Sequence, residues 1–261
     1  MLKDAAQQVE KEFTHEFNSK IEHYDKKLEP VSRAFSLTSP NLILYNYPNL
    51  WDIKAKSASP KKIYMGYCFD MQELPKWYKS IMEKVKSRFP KILIAMGTFL
   101  SYRHDVVEKC INAIKDEYPD SFIVAAAGAS ANKLRRFQAA DVIVKDYVPQ
   151  KGLLPHMDLV IHHGGNNSFT ESLYFGKPMV IMPFSSDQFD IASDAEDMGV
   201  AQVLDPNSLK TESLQKAVRN ALTRESETAL LHWKKKLASL GPRYAVSRLL
   251  SAINKSGNKW I

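Results

Sequence analysis

Apolar residues near the start of the chain recur every three or four positions, from Leu2 to Leu28. The residues of this stripe are Leu2, Ala5, Val9, Phe13, Phe17, Ile21, Tyr24 and Leu28. Such spacing predicts an amphipathic helix that needs a partner surface. The apolar run Leu42–Tyr47 predicts a short buried strand, and the stretch that follows, with Pro48, Pro60 and KAKSAS, is typical of a linker. One helix, one strand and a linker cannot close a core.

Beyond Lys61, short apolar runs alternate with helical periods, a pattern typical of βαβ units and a parallel sheet. The predicted strands are Ile63–Phe69, Lys91–Met96, Phe122–Ala127, Val142–Val144, Leu159–His162, Met179–Pro183 and Ala201–Leu204. The predicted helices are Pro75–Phe89, His104–Tyr118, Asn132–Gln138, Ser168–Phe175, Gln188–Met198, Thr211–Leu222 and a basic tail from Glu225 to about Ile253. Right-handed crossovers then predict an α/β protein with a doubly wound, Rossmann-like parallel sheet over residues 61–224 and a helical tail over 225–261.

Composition agrees with a folded protein and excludes several classes of function. Hydrophobic residues make up 44% of the chain and charged residues 25%, the usual balance of globular proteins. The net charge of +7 only weakly favours anionic partners, and its basic clusters lie in helical sequence, which disfavours nucleic-acid binding. Cys68 and Cys110 lack the spacing of a zinc site or disulfide framework. Without an apolar signal core or a membrane-length run, we expect a cytoplasmic protein with no membrane span.

The most informative segment, Asp158–Gln188, reads DLVIHHGGNNSFTESLYFGKPMVIMPFSSDQ. It predicts a strand, a glycine turn, a helix, a second strand and the start of another helix. Glycines at the carboxyl end of a strand let the backbone approach a ligand closely, and the next helix offers free N–H groups and a positive dipole end. The turn at Gly164 and Gly165 is therefore a candidate phosphate site.

Several motifs of this chain resemble the donor-binding signature of the UDP-glycosyltransferases, enzymes with the two-domain GT-B architecture. HHGGNNSFTE, GKP and P-x-x-x-DQ occur in family order, and YVPQKGLLPHMDLVIHHGG is similar to the stretch that precedes them. IAMGTFLS resembles the turn after the family's first donor-domain strand. The likeness runs from about Lys61 to Leu222 and implies the carboxyl-terminal, donor-binding half of such an enzyme.

The resemblance assigns a role to each matching residue. Tyr147, where the family usually has Trp, would stack on uracil, with the Val148 backbone at the base edge, and Gln150 and Glu171 would bind the nucleoside. Asp187 and Gln188 would read sugar hydroxyls that glucose, galactose and glucuronate share. The diphosphate would contact His163, Asn167 and Ser168, with Gly97 and Thr98 in the small turn near the phosphates. Gly164 and Gly165 complete the implied donor-binding set.

Each of these residues also has a structural interpretation. Ser168 and Glu171 fit a capping box, and Asp187 could begin a helix. His163 could be structural, and Tyr147 could belong to the core. Their joint occurrence on consecutive strand-to-helix turns favours the nucleotide site.

The resemblance also implies what the chain lacks. The family inverts the anomeric centre, and its catalytic His and orienting Asp belong to the acceptor domain, so no catalytic residue is assigned here. Residues 1–60 resemble only the last helix and strand of that domain and the linker. The expected partners are a UDP-sugar donor and a small-molecule or lipid acceptor, with no metal or other cofactor. Two alternatives remain open: a donor-binding subunit that pairs with an acceptor-domain protein, and a sugar-nucleotide-binding module without turnover.

Overall fold

A computed structural model describes residues 2–24, 26–27, 29–34, 42–49, 62–97 and 102–256. The predicted amino-terminal helix, α1, spans Leu2–Tyr24. Two short strands, β1 (Ile43–Tyr45) and β2 (Lys62–Tyr64), form a separate parallel pair in which Tyr45 stacks on Tyr64 with ring centroids 4.8 Å apart. The predicted strand Ile63–Phe69 is therefore wrong in its length, because β2 ends at Tyr64, and β2 lies outside the six-stranded sheet.

The main sheet has six parallel strands in the order β5-β4-β3-β6-β7-β8. The strands are β3 (Lys91–Ala95), β4 (Phe122–Ala126), β5 (Val142–Lys145), β6 (Leu159–His162), β7 (Met179–Ile181) and β8 (Ala201–Val203). The chain builds outward from β3 through β4 to β5, and then returns to the other side of β3 with β6. The strand order thus reverses between β3 and β6, the place where doubly wound sheets open a crevice at their carboxyl edge.

Helices cover both faces of this sheet. They are α2 (Lys76–Lys79), α3 (Met82–Val85), α4 (His104–Glu117), α5 (Ala131–Leu134), α6 (Gln150–Leu153), α7 (Asn166–Phe175), α8 (Gln188–Asp197), α9 (Thr211–Ala221), α10 (Arg224–Ala238) and α11 (Pro242–Ser256). One apolar core lies between the sheet and α4 and α9. On the opposite face, two more apolar cores include residues of α7, α8 and α10, and of α2, α3 and α6. Within the described ranges, no helix has the length and apolar character needed to cross a bilayer.

Three helix predictions before the carboxyl-terminal tail need correction. The predicted helix Pro75–Phe89 is two short helices, because Ser80 bonds back to the Trp77 carbonyl at 2.8 Å where they separate. Within the predicted helix Asn132–Gln138, α5 is followed by a 3-10 turn. Helix α7 begins at Asn166, two residues before the predicted start at Ser168.

The carboxyl-terminal tail is two helices rather than one. It breaks at Gly241, whose φ of +101° favours glycine, and whose N–H donates to the Met65 carbonyl at 2.6 Å. A Cβ at Gly241 would also lie 2.6 Å from the Tyr67 ring. The break therefore anchors the tail to the segment that follows β2. The domain limits at 60/61 and 224/225 remain predictions.

Candidate functional site

Three glycines mark the carboxyl edge of the main sheet. Gly97, Gly128 and Gly164 each lie two residues after a strand end, at β3, β4 and β6, with φ values of +76°, +52° and +87°. Residues with a Cβ rarely adopt such angles, so glycine lets three neighbouring strands turn sharply at one edge. The result is a row of tight turns around the point where the strand order reverses.

The His163 ring lies between two of the predicted site glycines. A Cβ at Gly97 would be 2.7 Å from the ring carbon Cε1, and a Cβ at Gly165 would be 2.6 Å from Nε2. Either contact is too close for a real side chain. The turn after β3 and the turn after β6, which are 66 residues apart in the sequence, therefore meet around one imidazole.

The two adjacent histidines occupy different environments. His162 is fully buried, and its Nδ1 accepts a hydrogen bond from the Gly164 N–H at 3.0 Å. Burial, with a smaller contribution from His163, lowers the pKa of His162 to about 3, so this ring is neutral. His163 is half-buried, and burial lowers its pKa, although the Ala95 carbonyl and the Asp187 carboxylate act in the opposite direction. His163 Nδ1 is buried without a hydrogen-bond partner among the described residues.

Helix α7 begins beside this imidazole without a side-chain cap. Gly165 is the N-cap residue, and none of the described side chains bonds to the free N–H groups of the first turn. The capping box predicted as an alternative for Ser168 and Glu171 is absent, because Ser168 lies inside the helix rather than at its N-cap. The first turn therefore keeps its N–H groups and the positive end of its dipole available.

Ser168 and Glu171 contact Gln150 instead. The amide nitrogen of Gln150 donates to a Glu171 carboxylate oxygen at 2.7 Å and lies 3.3 Å from the Ser168 hydroxyl. Burial raises the pKa of Glu171, while the hydrogen bond from Gln150 and the charge of Lys151 oppose the rise. A carboxylate fixed in this way keeps further lone pairs for hydroxyl donors.

A cavity of about 370 Å³ opens over these groups. Seven predicted site residues line it: Gly97, Tyr147, Val148, Gln150, Asn167, Ser168 and Glu171. The Tyr147 side chain is 69% exposed, which excludes the core interpretation, whereas Val148 is buried. The cavity thus combines an open aromatic ring, a fixed carboxylate and an uncapped helix start.

The cavity lining does not include five predicted site residues, which are His163, Gly164, Gly165, Asp187 and Gln188. Thr98 falls outside the described residues. Asp187 is exposed at the N-cap of α8 without a side-chain capping bond, and the Gln188 side-chain oxygen accepts from the Phe184 N–H at 2.9 Å. A Cβ at Gly164 would lie 3.0 Å from the Gln188 carbonyl, so this turn does approach the glycine loop. The binding roles assigned to all these residues remain predictions.

The sequence prediction missed six lining residues, which are Gln72, Ala95, Ala126, Gly128, Asp146 and Lys151. A signal was present for Gly128, because it follows a predicted buried strand just as Gly97 and Gly164 do. Gln72 offered no signal, since it lies on an irregular segment far from the motifs. The arrangement as a whole suits a ligand with an aromatic ring, vicinal hydroxyls and a phosphate.

Comparison with known proteins gives an independent line of evidence. A family model described as "UDP-glucoronosyl and UDP-glucosyl transferase" matches residues 22–232. The uncharacterized UDP-glucosyltransferase YdhE of Bacillus subtilis is 33% identical over 139 residues, which are 53% of this chain and 35% of YdhE. Demethyllactenocin mycarosyltransferase of Streptomyces fradiae is 23% identical over 212 residues, which are 81% of this chain and 45% of that enzyme. The matches thus span less than half the length of these relatives.

A solved structure supports the fold. The spinosyn rhamnosyltransferase SpnG complexed with thymidine diphosphate aligns with a TM-score of 0.66 at 20% identity, over 85% of this chain and 58% of that one. At this level of sequence identity, the similarity supports the fold alone. It confirms the prediction of a parallel, Rossmann-like α/β sheet of the GT-B type.

Proposed function

Because this chain belongs to the UDP-glycosyltransferase family, we propose that its carboxyl-edge cavity binds the UDP part of a nucleotide-sugar donor. The sugar would pass to an acceptor hydroxyl with inversion. The observation that carries the proposal is the uncapped start of α7 beside the His163 ring, within reach of an exposed aromatic side chain and a fixed carboxylate. Free N–H groups at a helix start favour an anion such as a diphosphate.

The nucleoside is proposed to occupy the side of the cavity that Tyr147 and α6 form. The exposed Tyr147 ring offers a flat face on which uracil can stack. Val148 lines the same cavity, and its backbone would meet the base edge. Glu171, already held by Gln150, would accept hydrogen bonds from the ribose hydroxyls.

The diphosphate is proposed to bind at the turn around His163. Asn167 and Ser168 lie in the first turn of α7, whose N–H groups and dipole favour negative charge. Gly97 and Gly165 leave room for the His163 imidazole beside this helix start, and Gly164 lets the turn before α8 approach it. Thr98 would extend this site. Asp187 and Gln188 would then face the sugar hydroxyls.

In the proposed reaction, the acceptor oxygen forms a bond to the anomeric carbon while the bond from that carbon to the β-phosphate oxygen breaks. The electron pair of the broken bond leaves with UDP, and the acceptor proton passes to a base on the acceptor domain. His163 and the start of α7 would stabilise charge on the leaving UDP. We assign no metal or other cofactor to this step, and the cytoplasmic location remains a prediction.

Turnover is proposed to need an acceptor domain, either in the same polypeptide or in a separate partner protein. The apolar side chains of Val9 and Phe13 on α1 are 56% and 45% exposed and could contribute to such a contact. Transfer by the isolated chain is therefore expected to be slow or undetectable. Rapid glycosylation of a small hydrophobic alcohol by the purified chain would contradict this part of the proposal.

Calorimetric titration with UDP, UDP-glucose and UDP-glucuronate tests the donor site. Replacing Glu171 by Ala should weaken UDP binding roughly 10- to 100-fold, because a charged hydrogen-bond acceptor is lost. His163→Ala should weaken it about tenfold. Glu212→Ala, on the exposed side of α9, is the matched control and should have no effect. The proposal fails if neither site variant weakens binding while both remain folded.

A further inference from the structure

Gln72 makes two hydrogen bonds at the edge of the cavity. Its side-chain nitrogen donates to the Tyr147 hydroxyl at 3.2 Å, and its side-chain oxygen accepts the Lys151 N–H at 3.2 Å. The two partners lie 75 and 79 positions away in the chain. One amide therefore joins the aromatic ring of the cavity to the first turn of α6.

The two hydrogen bonds of Gln72 have different roles: one pairs a free N–H of α6, and the other holds an exposed ring. Lys151 is the second residue of α6, so its N–H has no partner within the helix, and Gln72 supplies the acceptor from outside. Tyr147 is 69% exposed, and few packing contacts hold its ring. A free aromatic side chain loses rotational freedom when a ligand stacks on it, and that loss weakens binding. A hydrogen bond that holds the ring beforehand reduces this loss.

The segment that carries Gln72 is itself held against α6. A Cβ at Gly152 would lie 2.4 Å from the Glu73 carbonyl, so the two backbones approach closely. The Lys151 ammonium lies 5.5 Å from the centre of the Phe69 ring. Gln72 is thus presented by a backbone that is already in place, rather than by a loosely attached loop.

We propose that Gln72 is a positioning residue that holds Tyr147 as the stacking surface for the base. It acts through the Tyr147 hydroxyl and, by its second bond, fixes the start of the helix that carries Gln150. The inference rests on the proposed function, since it concerns how the same cavity receives the uracil ring. It adds a residue that no motif of the sequence contains.

A double-mutant cycle on the full chain tests the inference. We expect Gln72→Met to weaken UDP binding about fivefold, and Tyr147→Phe to weaken it by a similar factor. In the Tyr147→Phe background, Gln72→Met should cost no more than about twofold, because the shared hydrogen bond is already lost. Titration with inorganic pyrophosphate, which has no base, should give about the same affinity for all four proteins.

Controls separate this role from general damage to the fold. Gln215→Leu removes one side-chain hydrogen bond, to the Ala113 carbonyl, on the other face of the sheet, and should leave UDP binding unchanged. Tyr147→Phe removes a single exposed oxygen, so it retains the fold even if Gln72→Met does not.

Three outcomes of the comparison among these variants overturn the inference. The first is an unchanged UDP affinity in Gln72→Met. The second is a double variant whose loss of UDP affinity equals the product of the two single losses. A loss of pyrophosphate affinity equal to the loss of UDP affinity would also contradict a role through the base. If the unaltered chain binds pyrophosphate but not UDP, the proposed function fails and this inference fails with it. If Tyr147→Ala abolishes UDP binding while Gln72→Met does not weaken it, only the inference fails.

Discussion

The two edges of the six-stranded sheet differ in how their charged groups and histidines are bound. At the amino edge, the Asp158 carboxylate accepts the Lys91 N–H at 2.7 Å and pairs with the Lys91 ammonium at 3.2 Å. Nearby, the Lys177 ammonium donates to the Pro155 and Met157 carbonyls at 3.1 and 2.7 Å. Charged groups at this edge are thus bound to one another or to the backbone.

At the carboxyl edge, polar groups are left without protein partners. His163 Nδ1 is buried and unpaired among the described residues, and the first turn of α7 has no side-chain cap. Buried polar groups without a hydrogen-bond partner lower the free energy of unfolding. This difference indicates that the groups at the amino edge stabilise the sheet, while the carboxyl edge keeps groups available to bind a ligand. Substitutions should therefore separate stability from binding.

The largest expected effect is on stability, at the amino edge. Asp158→Ala removes both the acceptor for the Lys91 N–H and the partner of a half-buried ammonium. We expect the free energy of unfolding to fall by about 2 to 3 kcal/mol, with UDP affinity unchanged. Urea denaturation followed by circular dichroism measures the free energy of unfolding, and titration of the folded variant with UDP measures the affinity.

Asp120→Ala is the control for this substitution. Its side chain is 93% exposed and pairs with Arg88 at 3.5 Å, so its removal should cost less than about 0.5 kcal/mol. If Asp158→Ala changes UDP affinity as strongly as it changes stability, the two edges are not independent.

The second effect concerns His162, the structural member of the histidine pair. Burial lowers its pKa to about 3, whereas an unfolded histidine has a pKa of about 6.5. Below pH 6.5, the unfolded chain binds a proton that the folded chain does not, so stability falls as the pH falls towards 3. Between pH 7 and pH 5, His162 should contribute about 2 kcal/mol of this loss.

Urea denaturation of the unaltered chain and of His162→Gln at pH 7, 6 and 5 measures that contribution. From pH 7 to pH 5, the free energy of unfolding should fall by about 2 kcal/mol less in the variant than in the unaltered chain, whatever the variant's stability at pH 7. Equal losses in the two proteins would show that His162 does not remain neutral in the folded state.

The smallest effect is on binding, at the carboxyl edge. Gly165 has a φ of −63°, which alanine accepts without strain, but a Cβ there would lie 2.6 Å from His163 Nε2. Gly165→Ala should displace the imidazole and weaken UDP binding about fivefold, which corresponds to about 1 kcal/mol. Titration with UDP measures the change. A variant that binds UDP as tightly as the unaltered chain would indicate that the His163 ring does not contact the ligand.

The sequence allowed the main sheet to be predicted because its strands are short apolar runs separated by helical periods. The partner of β2 could not be predicted in this way, since a strand of three residues around Ile63 has no pattern that specifies which strand it pairs with. The break at Gly241 was predictable, because Gly241-Pro242 is a strong helix-stop signal. Local patterns therefore specify elements more reliably than they specify long-range pairing.

The same distinction applies to the site. Tyr147, His163 and Glu171 belong to motifs that are continuous in the sequence. The fold brings Tyr147 and Glu171 into one cavity and places His163 beside Gly97, which also lines it. Gln72 reaches the cavity only through tertiary packing, from a segment without regular structure. No spacing rule connects a glutamine to a tyrosine 75 positions away. Residues that support a binding group from another element are for this reason the hardest to predict.

Photo-crosslinking with 5-azido-UDP tests most directly whether uridine nucleotides bind at the carboxyl edge. After irradiation of the full chain, peptide mapping should find the modification within residues 146–151, around Tyr147 and Val148, and excess UDP should suppress it. Labelling confined to other segments, or labelling that excess UDP does not reduce, would contradict the account.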